Sequence, residues 1–276
     1  MFYNKIFFKI SIFVALNPST VNMNFDSTTC LNCHKEIHGK YCSHCGQSAD
    51  THRLSLSHFI AHDVVHGVFH LDKGLLFTIK QVLTRPGYAA MDYIAGKRKS
   101  YYNFFYLILL LVGFYSLVSK FNGSLFPDLQ EVDIEDKAGV NDFLHNYSKA
   151  ILIAFVPVIS FNSYMLYKRV KLNYLEHVIV SVLPFIGVLL TFIGAKLLEP
   201  LELLRFSALE SVISWLHFIA ILVYTNLSFY QAFKGFYSKK GIFFRFLLFC
   251  FLVFVEIVVF FVVLIVFFGG GGTISI

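Results

Sequence analysis

Long apolar runs, separated by short charged segments, occupy most of the chain after residue 101. A helix that crosses the hydrocarbon layer of a membrane needs about 20 predominantly apolar residues. Five runs approach this length, and the pattern therefore predicts five transmembrane helices. They cover residues 102–120, 150–167, 177–198, 211–233 and 242–268. The second run is the most dilute, because Pro157, Ser160, Asn162 and Ser163 interrupt it.

Ahead of these runs, histidine recurs at every fourth position, with apolar residues on the opposite side of a helical wheel. This pattern predicts an amphipathic helix from Ser57 to Leu83, or two short helices broken near Gly67 or Gly74. Arg85-Pro86-Gly87 then ends the helix with a sharp turn. The recurring histidines are His58, His62, His66 and His70.

The histidine stripe supports three interpretations. Imidazoles on neighbouring turns suit a second metal site for zinc, iron or copper. The same stripe fits the polar face of a helix at the membrane surface, with its apolar face toward lipid or the bundle. Histidine also titrates near neutral pH, so a pH-responsive surface is the third interpretation.

The composition agrees with a membrane protein. Of 276 residues, 57% are hydrophobic and only 14% are charged, and the mean hydropathy is +0.66. Soluble domains carry about 25% charged residues, so too few charges are present here to cover a solvated surface. The same composition excludes disorder, collagen and a disulfide-rich secreted scaffold. The net charge of +6 is consistent with basic membrane loops, and nucleic acid is not an expected partner.

Four cysteines form the most specific local motif of the sequence. Two Cys-x2-Cys pairs, separated by eight residues, have the spacing of zinc knuckles, in which a tight turn directs two thiolates at one ion. Four thiolates favour zinc over magnesium or calcium and leave no coordination position open for catalysis. The ligands of this predicted structural zinc ribbon are Cys30, Cys33, Cys42 and Cys45. A redox dithiol pair and an iron–sulfur site are the alternatives.

Charged residues between the spans predict the orientation. Basic segments before the first span, after the second and after the fourth alternate with an acidic or balanced loop. Because basic loops stay in the cytoplasm, we expect the N-terminus in the cytoplasm and the C-terminus outside. This orientation keeps the cysteines in a reducing compartment. The expected location is the bacterial inner membrane.

Three basic residues flank the turn that leads to the first span. After Arg85-Pro86-Gly87, a short helix over residues 88–94 ends at Gly96, and Lys97-Arg98-Lys99 follows. The segment is either a membrane-anchoring elbow or a contact for a lipid headgroup or a substrate phosphate. The candidate phosphate contacts are Arg85, Lys97 and Arg98.

Two ionisable residues fall within predicted spans. Glu256 lies near the centre of the last span, and His217 lies in the fourth. An ionisable group inside a membrane is costly and is therefore a candidate functional site. The two residues could relay protons or bind a cation together. Alternatively, a protonated Glu256 serves only in helix packing.

The region from Cys30 to Tyr102 resembles a family of bacterial proteins described only as a domain of unknown function. The resemblance covers about a quarter of the chain and implies a zinc ribbon followed by a multi-pass membrane domain. It implies no established activity. The matching residues are Cys30, Cys33, Cys42, Cys45-Gly46-Gln47, the region of His66 and His70, Asp72-Lys73-Gly74, Thr78, Arg85-Pro86-Gly87, Tyr93-Ile94-Ala95-Gly96-Lys97-Arg98 and Tyr101.

The sequence therefore predicts an all-α integral membrane protein with a small N-terminal zinc ribbon and a juxtamembrane amphipathic helix. The expected units are a dispensable leader or misassigned start over residues 1–23, a ribbon over 24–50, a histidine-rich helix and basic elbow over 51–101, a bundle over 102–268 and a tail over 269–276. Met23 is a plausible true start.

The favoured function is a scaffold, regulator or adaptor that binds a protein partner through the ribbon while the bundle contacts the lipid bilayer. One alternative is a transporter of a metal or small solute that uses His217 and Glu256. Another is a membrane enzyme with a histidine-bound metal acting on lipid. The enzyme is the less favoured, because the histidines bunch in one segment and lack an H-x2-H-H cluster. The sequence identifies neither a substrate nor an oligomeric state.

Overall fold

The computed structural model describes residues 28–55, 74–126, 140–200 and 207–269. Several predictions lie outside these residues: the leader over 1–23, the stripe formed by His58, His62, His66 and His70, and the tail from residue 270 onward. Within the described residues the protein is all-α, and extended structure is limited to two isolated β-bridges in the ribbon.

In the part of the chain that the structure describes, two short helices precede five long ones. The short helices are α1 (Gly74–Thr84) and α2 (Pro86–Ile94), and a 3-10 turn (Lys168–Val170) links α4 to α5. The long helices are α3 (Phe104–Leu125), α4 (Val140–Leu166), α5 (Tyr174–Leu198), α6 (Ser207–Phe233) and α7 (Lys239–Gly269). Each long helix overlaps one predicted apolar run, and the largest difference is at α4, which starts ten residues before its predicted run.

Among the described residues, four of the long helices are long and apolar enough to cross a membrane: α3, α5, α6 and α7. Helix α4 adds a described apolar stretch from Ile153 to Leu166, with Pro157 inside it. The described part of the chain is therefore that of an integral membrane protein with four candidate spans and a further apolar stretch in α4.

The long helices alternate in direction. The start of α5 lies beside the ends of α4 and α6, since His177 contacts both Ser163 and Phe233. The start of α7 lies there as well, because Arg245 donates a hydrogen bond to the carbonyl of Leu166 at 3.2 Å. We call this end of the bundle, where α3, α5 and α7 begin and α4 and α6 end, the ribbon-side end.

Helices α1 and α2 form a hairpin that packs into the bundle. The described part of α1 starts at Gly74 and lies beside the start of α3: the Thr78 hydroxyl accepts a hydrogen bond from the Tyr102 N–H at 2.7 Å. The other end of α1 reaches α6, where the Tyr224 hydroxyl donates to the carbonyl of Val82 at 2.7 Å. The hairpin therefore bridges two spans.

The turn of this hairpin requires glycine. A side chain at Gly87 would collide with the backbone of α6 at Ser228 and Ala232. Pro86 is the first residue of α2, a position where its missing N–H is not needed. Arg85-Pro86-Gly87 therefore ends α1, starts α2 and allows α2 to lie directly against α6.

Candidate metal centre and its attachment to the bundle

The first Cys-x2-Cys pair lies in a tight turn. The His34 N–H donates to the carbonyl of Cys30 at 2.8 Å, and the Cys30 N–H donates to the carbonyl of Lys35 at 2.8 Å. His34, directly after Cys33, adopts a φ of 60°. This backbone folds back on itself, so that both thiols of the pair face the same side.

The second pair repeats this geometry twelve positions later. The Gly46 N–H donates to Cys42 at 2.8 Å, and the Cys42 N–H donates to Gln47 at 2.8 Å. Gly46 has a φ of 75°, a left-handed conformation that glycine adopts without strain. The bridge between Tyr41 and Ser48 likewise corresponds to the bridge between Thr29 and Glu36. The ribbon thus consists of two knuckles with one backbone design, residues 28–37 and 40–49.

The two knuckles bring four thiols together. Their sulfur atoms all lie within 4.8 Å of one another. The Sγ atoms of Cys30 and Cys45 are 3.5 Å apart, as are those of Cys33 and Cys42. Metal–sulfur bonds of about 2.3 Å in a tetrahedron place the sulfurs roughly 3.8 Å apart. The arrangement therefore fits one metal ion with four thiolate ligands.

The backbone favours the thiolate form of Cys42. Cys42 is buried, with 2% of its surface exposed. Hydrogen bonds from the backbone of Cys45 and His44 lower the pKa of the Cys42 thiol to about 6. A metal ion binds the thiolate and not the thiol. These N–H groups therefore stabilise the form of Cys42 that binds a metal ion.

Gln47 attaches the ribbon to residues 95–100. These residues form the last part of the predicted basic elbow, and from here on the name elbow refers to them alone. The side chain is buried, with 5% exposed. Its Nε2 donates to the carbonyl of Gly96 at 2.9 Å, and its Oε1 accepts from the N–H groups of Arg98 and Lys99 at 3.2 and 3.1 Å. One amide thereby satisfies three backbone groups of the elbow, whose chain turns at Gly96 with a φ of 101°.

The first knuckle contacts the same elbow through different atoms. A Cβ at Gly96 would lie 2.6 Å from Cδ1 of Leu31, so the absence of a side chain permits the approach. Beside it, the Ser100 hydroxyl donates to Oδ1 of Asn32 at 2.9 Å. The elbow therefore holds both knuckles.

A third attachment joins the segment after the ribbon to the first turn of α5. Arg53 donates two hydrogen bonds of 2.7 Å to the carboxylate of Glu176, one to each oxygen. Glu176 is fully buried, whereas half of the Arg53 side chain is exposed. Hydrogen bonding to Glu176 raises the pKa of Arg53. The pair is a bidentate contact between charged groups, the strongest class of hydrogen bond in proteins.

Glu176 also starts α5. Its side chain accepts from the Asn173 N–H at 2.8 Å, while Asn173 accepts from the Glu176 N–H at 2.9 Å, which is a capping box. The predicted span began at His177 and left Glu176 in the preceding loop. Asn173 followed three positions later by an acidic residue is a recognisable helix-start signal. This pattern could have identified Glu176 as part of the span.

Each of the candidate phosphate contacts also makes an internal contact. Arg85 and Lys97 both pair with Asp92, at 3.0 and 2.8 Å. Arg98 donates to the carbonyl of His52 at 2.6 Å. These bonds tie the hairpin, the elbow and the segment after the ribbon into one unit. About 44% of the Arg85 side chain and 37% of the Lys97 side chain remain exposed.

His217 and Glu256 have different neighbours. His217 lies 3.4 Å from the Thr191 hydroxyl of α5 and lines a cavity of about 250 Å³. Glu256 lies beside Asn162 of α4, and Oε2 of Glu256 and Nδ2 of Asn162 are both buried. Among the described contacts, the two ionisable residues therefore have different neighbouring side chains.

Fold and geometry together define a class: an integral membrane protein that carries a four-cysteine metal-binding module docked on one end of its helices. A family model described as "Protein of unknown function (DUF3667)" matches residues 72–115. The match covers the α1–α2 hairpin, the elbow and the start of α3. No curated protein and no solved structure matches the chain.

Proposed function

We propose that the protein is a membrane-anchored zinc module that acts as a scaffold or adaptor by binding a protein partner on the cytoplasmic face of a bacterial inner membrane. The carrying observation is the ribbon itself: four thiols lie within reach of one ion, on a module tied to the bundle by Gln47 and Arg53. Four sulfur ligands fill a tetrahedral zinc ion, so the metal would stabilise the fold and not catalyse a reaction.

The distribution of basic residues supports a cytoplasmic ribbon. The elbow and the ribbon-side ends of α3 to α7 carry many bases, and the described acids near them, Asp92 and Glu176, are paired with bases. Basic segments are retained in the cytoplasm. The bases are Lys97, Arg98, Lys99, Lys168, Arg169, Lys171, Lys234, Lys239, Lys240 and Arg245.

Exposed side chains of the ribbon support a partner-binding role. Tyr41 is 67% exposed, and Lys35, Glu36 and His38 are exposed as well. Exposed aromatic residues are enriched at protein-binding surfaces. Because three attachments hold the ribbon, these side chains are presented in a constant orientation above the membrane.

Metal analysis tests the zinc assignment. The purified chain should contain one zinc per molecule, measured by plasma mass spectrometry. Cys42→Ser combined with Cys45→Ser should remove it, whereas Cys250→Ser, which changes a cysteine inside α7, should not. Iron in place of zinc, or a full complement of zinc in the double variant, would refute the assignment.

Cross-linking tests the partner surface. A photoreactive residue at position 41 should yield a defined protein adduct in cells that is lost when Cys42 and Cys45 are serine. The same probe at Leu76, which is 78% exposed on α1, serves as the control. An adduct of equal yield with and without the metal ligands would contradict partner binding through the folded ribbon.

The buried polar atoms of the adjacent Glu256 and Asn162 side chains favour transport of a small cation as the second candidate function. A carboxylate and an amide in an apolar layer could bind a proton or a metal cation during passage. Glu256→Gln should then abolish uptake into proteoliposomes, while Glu199→Gln, at the opposite end of the bundle from the ribbon, should not. Equal flux in wild type and Glu256→Gln would remove this candidate.

A further inference from the structure

A groove of about 390 Å³ lies between α3, α4 and α5. Its wall is formed almost entirely by aliphatic and aromatic side chains, including Ile108, Leu109, Ile153, Val178, Ile179 and Val182. Its volume falls in the range of pockets that hold small ligands, roughly 300–1,000 Å³. A groove this apolar offers hydrogen-bonding groups only at its edge, so it suits a hydrocarbon chain.

The depth of the groove corresponds to one leaflet. Along α5 its wall extends from Tyr174 to Val182, which is about 12 Å of helix. The hydrocarbon layer of a bilayer is about 30 Å thick, so one leaflet accounts for about half of that. The groove therefore begins at the ribbon-side end and stops near the middle of the membrane.

The mouth of the groove is amphipathic. Tyr93, Asn103 and Tyr174 line this end, and tyrosine is enriched where membrane proteins meet the headgroup layer. The Arg98 guanidinium lies over the Tyr93 ring, 5.8 Å from its centroid. A positive charge is thus held against a side chain that forms part of the groove wall.

The segments beside the mouth carry more bases than acids. Lys97 and Lys99 flank Arg98 in the elbow, where Lys97 pairs with Asp92 at 2.8 Å. Lys171 lies three residues before Tyr174. Each base near a membrane surface contributes about 1 kcal/mol to the attraction of anionic lipids. The charge of this end therefore complements an anionic headgroup and not a zwitterionic one.

We propose that the groove binds one acyl chain of an anionic glycerophospholipid from the ribbon-side leaflet, with the lipid phosphate at the basic mouth. A bound lipid would connect the elbow to the spans, because Tyr93 and Asn103 lie on either side of the elbow. The inference depends on the membrane-spanning fold and is independent of the adaptor function.

Lipid binding is measured by native mass spectrometry of the full chain in detergent, with phosphatidylglycerol and phosphatidylcholine as competing probes. The wild type should retain one phosphatidylglycerol and prefer it about fivefold or more, the effect of one additional favourable charge contact. Val178→Trp, which fills the groove, should weaken phosphatidylglycerol binding about tenfold, since two lost methylene contacts are sufficient for this effect.

Val259→Trp is the matched control, because Val259 is 55% exposed on α7 and does not line the groove. It should bind lipid as the wild type does. Ala154→Trp fills the groove from α4 and provides a second variant if Val178→Trp does not fold, as judged by size-exclusion profile and metal content. A wild type without bound phospholipid at saturating phosphatidylglycerol, equal binding of the two lipids, or unchanged binding in a folded groove variant would overturn the proposal.

Discussion

The two knuckles of the ribbon have the same backbone but make different contacts. Each closes its Cys-x2-Cys turn with equivalent hydrogen bonds, offset by twelve residues. At equivalent positions, however, Gln47 is buried against the elbow while Lys35 is exposed, and Leu31 contacts Gly96 while Ser43 is exposed. The backbone geometry is thus the same in both knuckles, whereas the side chains that contact the elbow differ between them.

Different residues of the ribbon are therefore responsible for metal binding and for attachment to the bundle. The residues shared by both knuckles, the cysteines and the left-handed position after each pair, build the metal centre. The residues that differ, Leu31 and Gln47, attach that centre to the membrane domain. Metal binding and attachment should therefore respond to different substitutions.

Removal of either cysteine pair should have the largest effect. Cys30→Ser with Cys33→Ser, or Cys42→Ser with Cys45→Ser, leaves two ligands where a tetrahedral ion needs four, so both double variants should lose all bound metal. Structural zinc contributes about 10–16 kcal/mol of apparent binding free energy in small modules, and the ribbon should unfold. Metal content per chain and protease sensitivity of residues 28–55 measure this outcome. Retention of metal by one double variant would show that the knuckles are not equivalent.

Gly96→Ala should have the next largest effect, on attachment alone. The new methyl group would lie 2.6 Å from Leu31 at a φ of 101°, and backbone strain plus overpacking should cost ~2–4 kcal/mol. Chelator-resistant metal should remain bound while protease cleavage between the ribbon and α1 accelerates. Gly113→Ala, which meets nothing within 4 Å in α3, is the control. Adding Leu31→Ala should restore part of the loss, and no recovery would indicate that the backbone conformation alone is responsible.

Gln47→Ala should weaken attachment by a smaller amount. The change leaves the Gly96 carbonyl and the N–H groups of Arg98 and Lys99 without their partner, and such unsatisfied groups cost about 1–3 kcal/mol. Lys35→Ala, at the equivalent exposed position of the first knuckle, should change stability by less than about 0.5 kcal/mol. The attachment of the ribbon in the two variants is compared through their protease cleavage rates, measured at equal metal content. Equal rates for the two variants would mean that Gln47 does not anchor the ribbon.

Gly46→Ala should have the smallest effect, on metal retention and not on attachment. Its φ of 75° disfavours a side chain, at a cost of about 1–2 kcal/mol, while its Cβ would meet Lys99 only at an ordinary 3.7 Å. Zinc transfer to a colorimetric chelator should therefore accelerate about tenfold. Gly39→Ala, with nothing within 4 Å and no positive φ, should match the wild type. If the two variants release metal at the same rate, the left-handed turn is not limiting.

Much of the fold follows from local sequence patterns. The apolar runs predict the long helices because the helical backbone must be satisfied inside a membrane. Pro86 and Gly96 mark the start and end of α2, as their backbone preferences require. The helix boundaries are less well predicted: α5 starts three residues before its predicted position, since the Asn173–Glu176 capping box adds a polar first turn.

The sequence predicted candidate sites built from neighbouring residues better than sites that depend on helix packing. The four thiols converge as expected, because Cys-x2-Cys spacing confines two ligands within a single turn. The pairing considered for His217 and Glu256 could not be tested by sequence, because it depends on how α6 and α7 rotate about their axes. The structure shows Thr191 beside His217 and Asn162 beside Glu256.

The sequence by itself therefore determined the membrane-spanning class, the metal ligands and the turn at Arg85-Pro86-Gly87, since each depends on residues close together in the chain. Only the tertiary structure decided that Gln47 meets Gly96, 49 residues away, and that Arg53 meets Glu176, 123 residues away. It also decided where the groove between α3, α4 and α5 opens. Such contacts depend on the packing of whole helices, and no local spacing encodes how three helices meet.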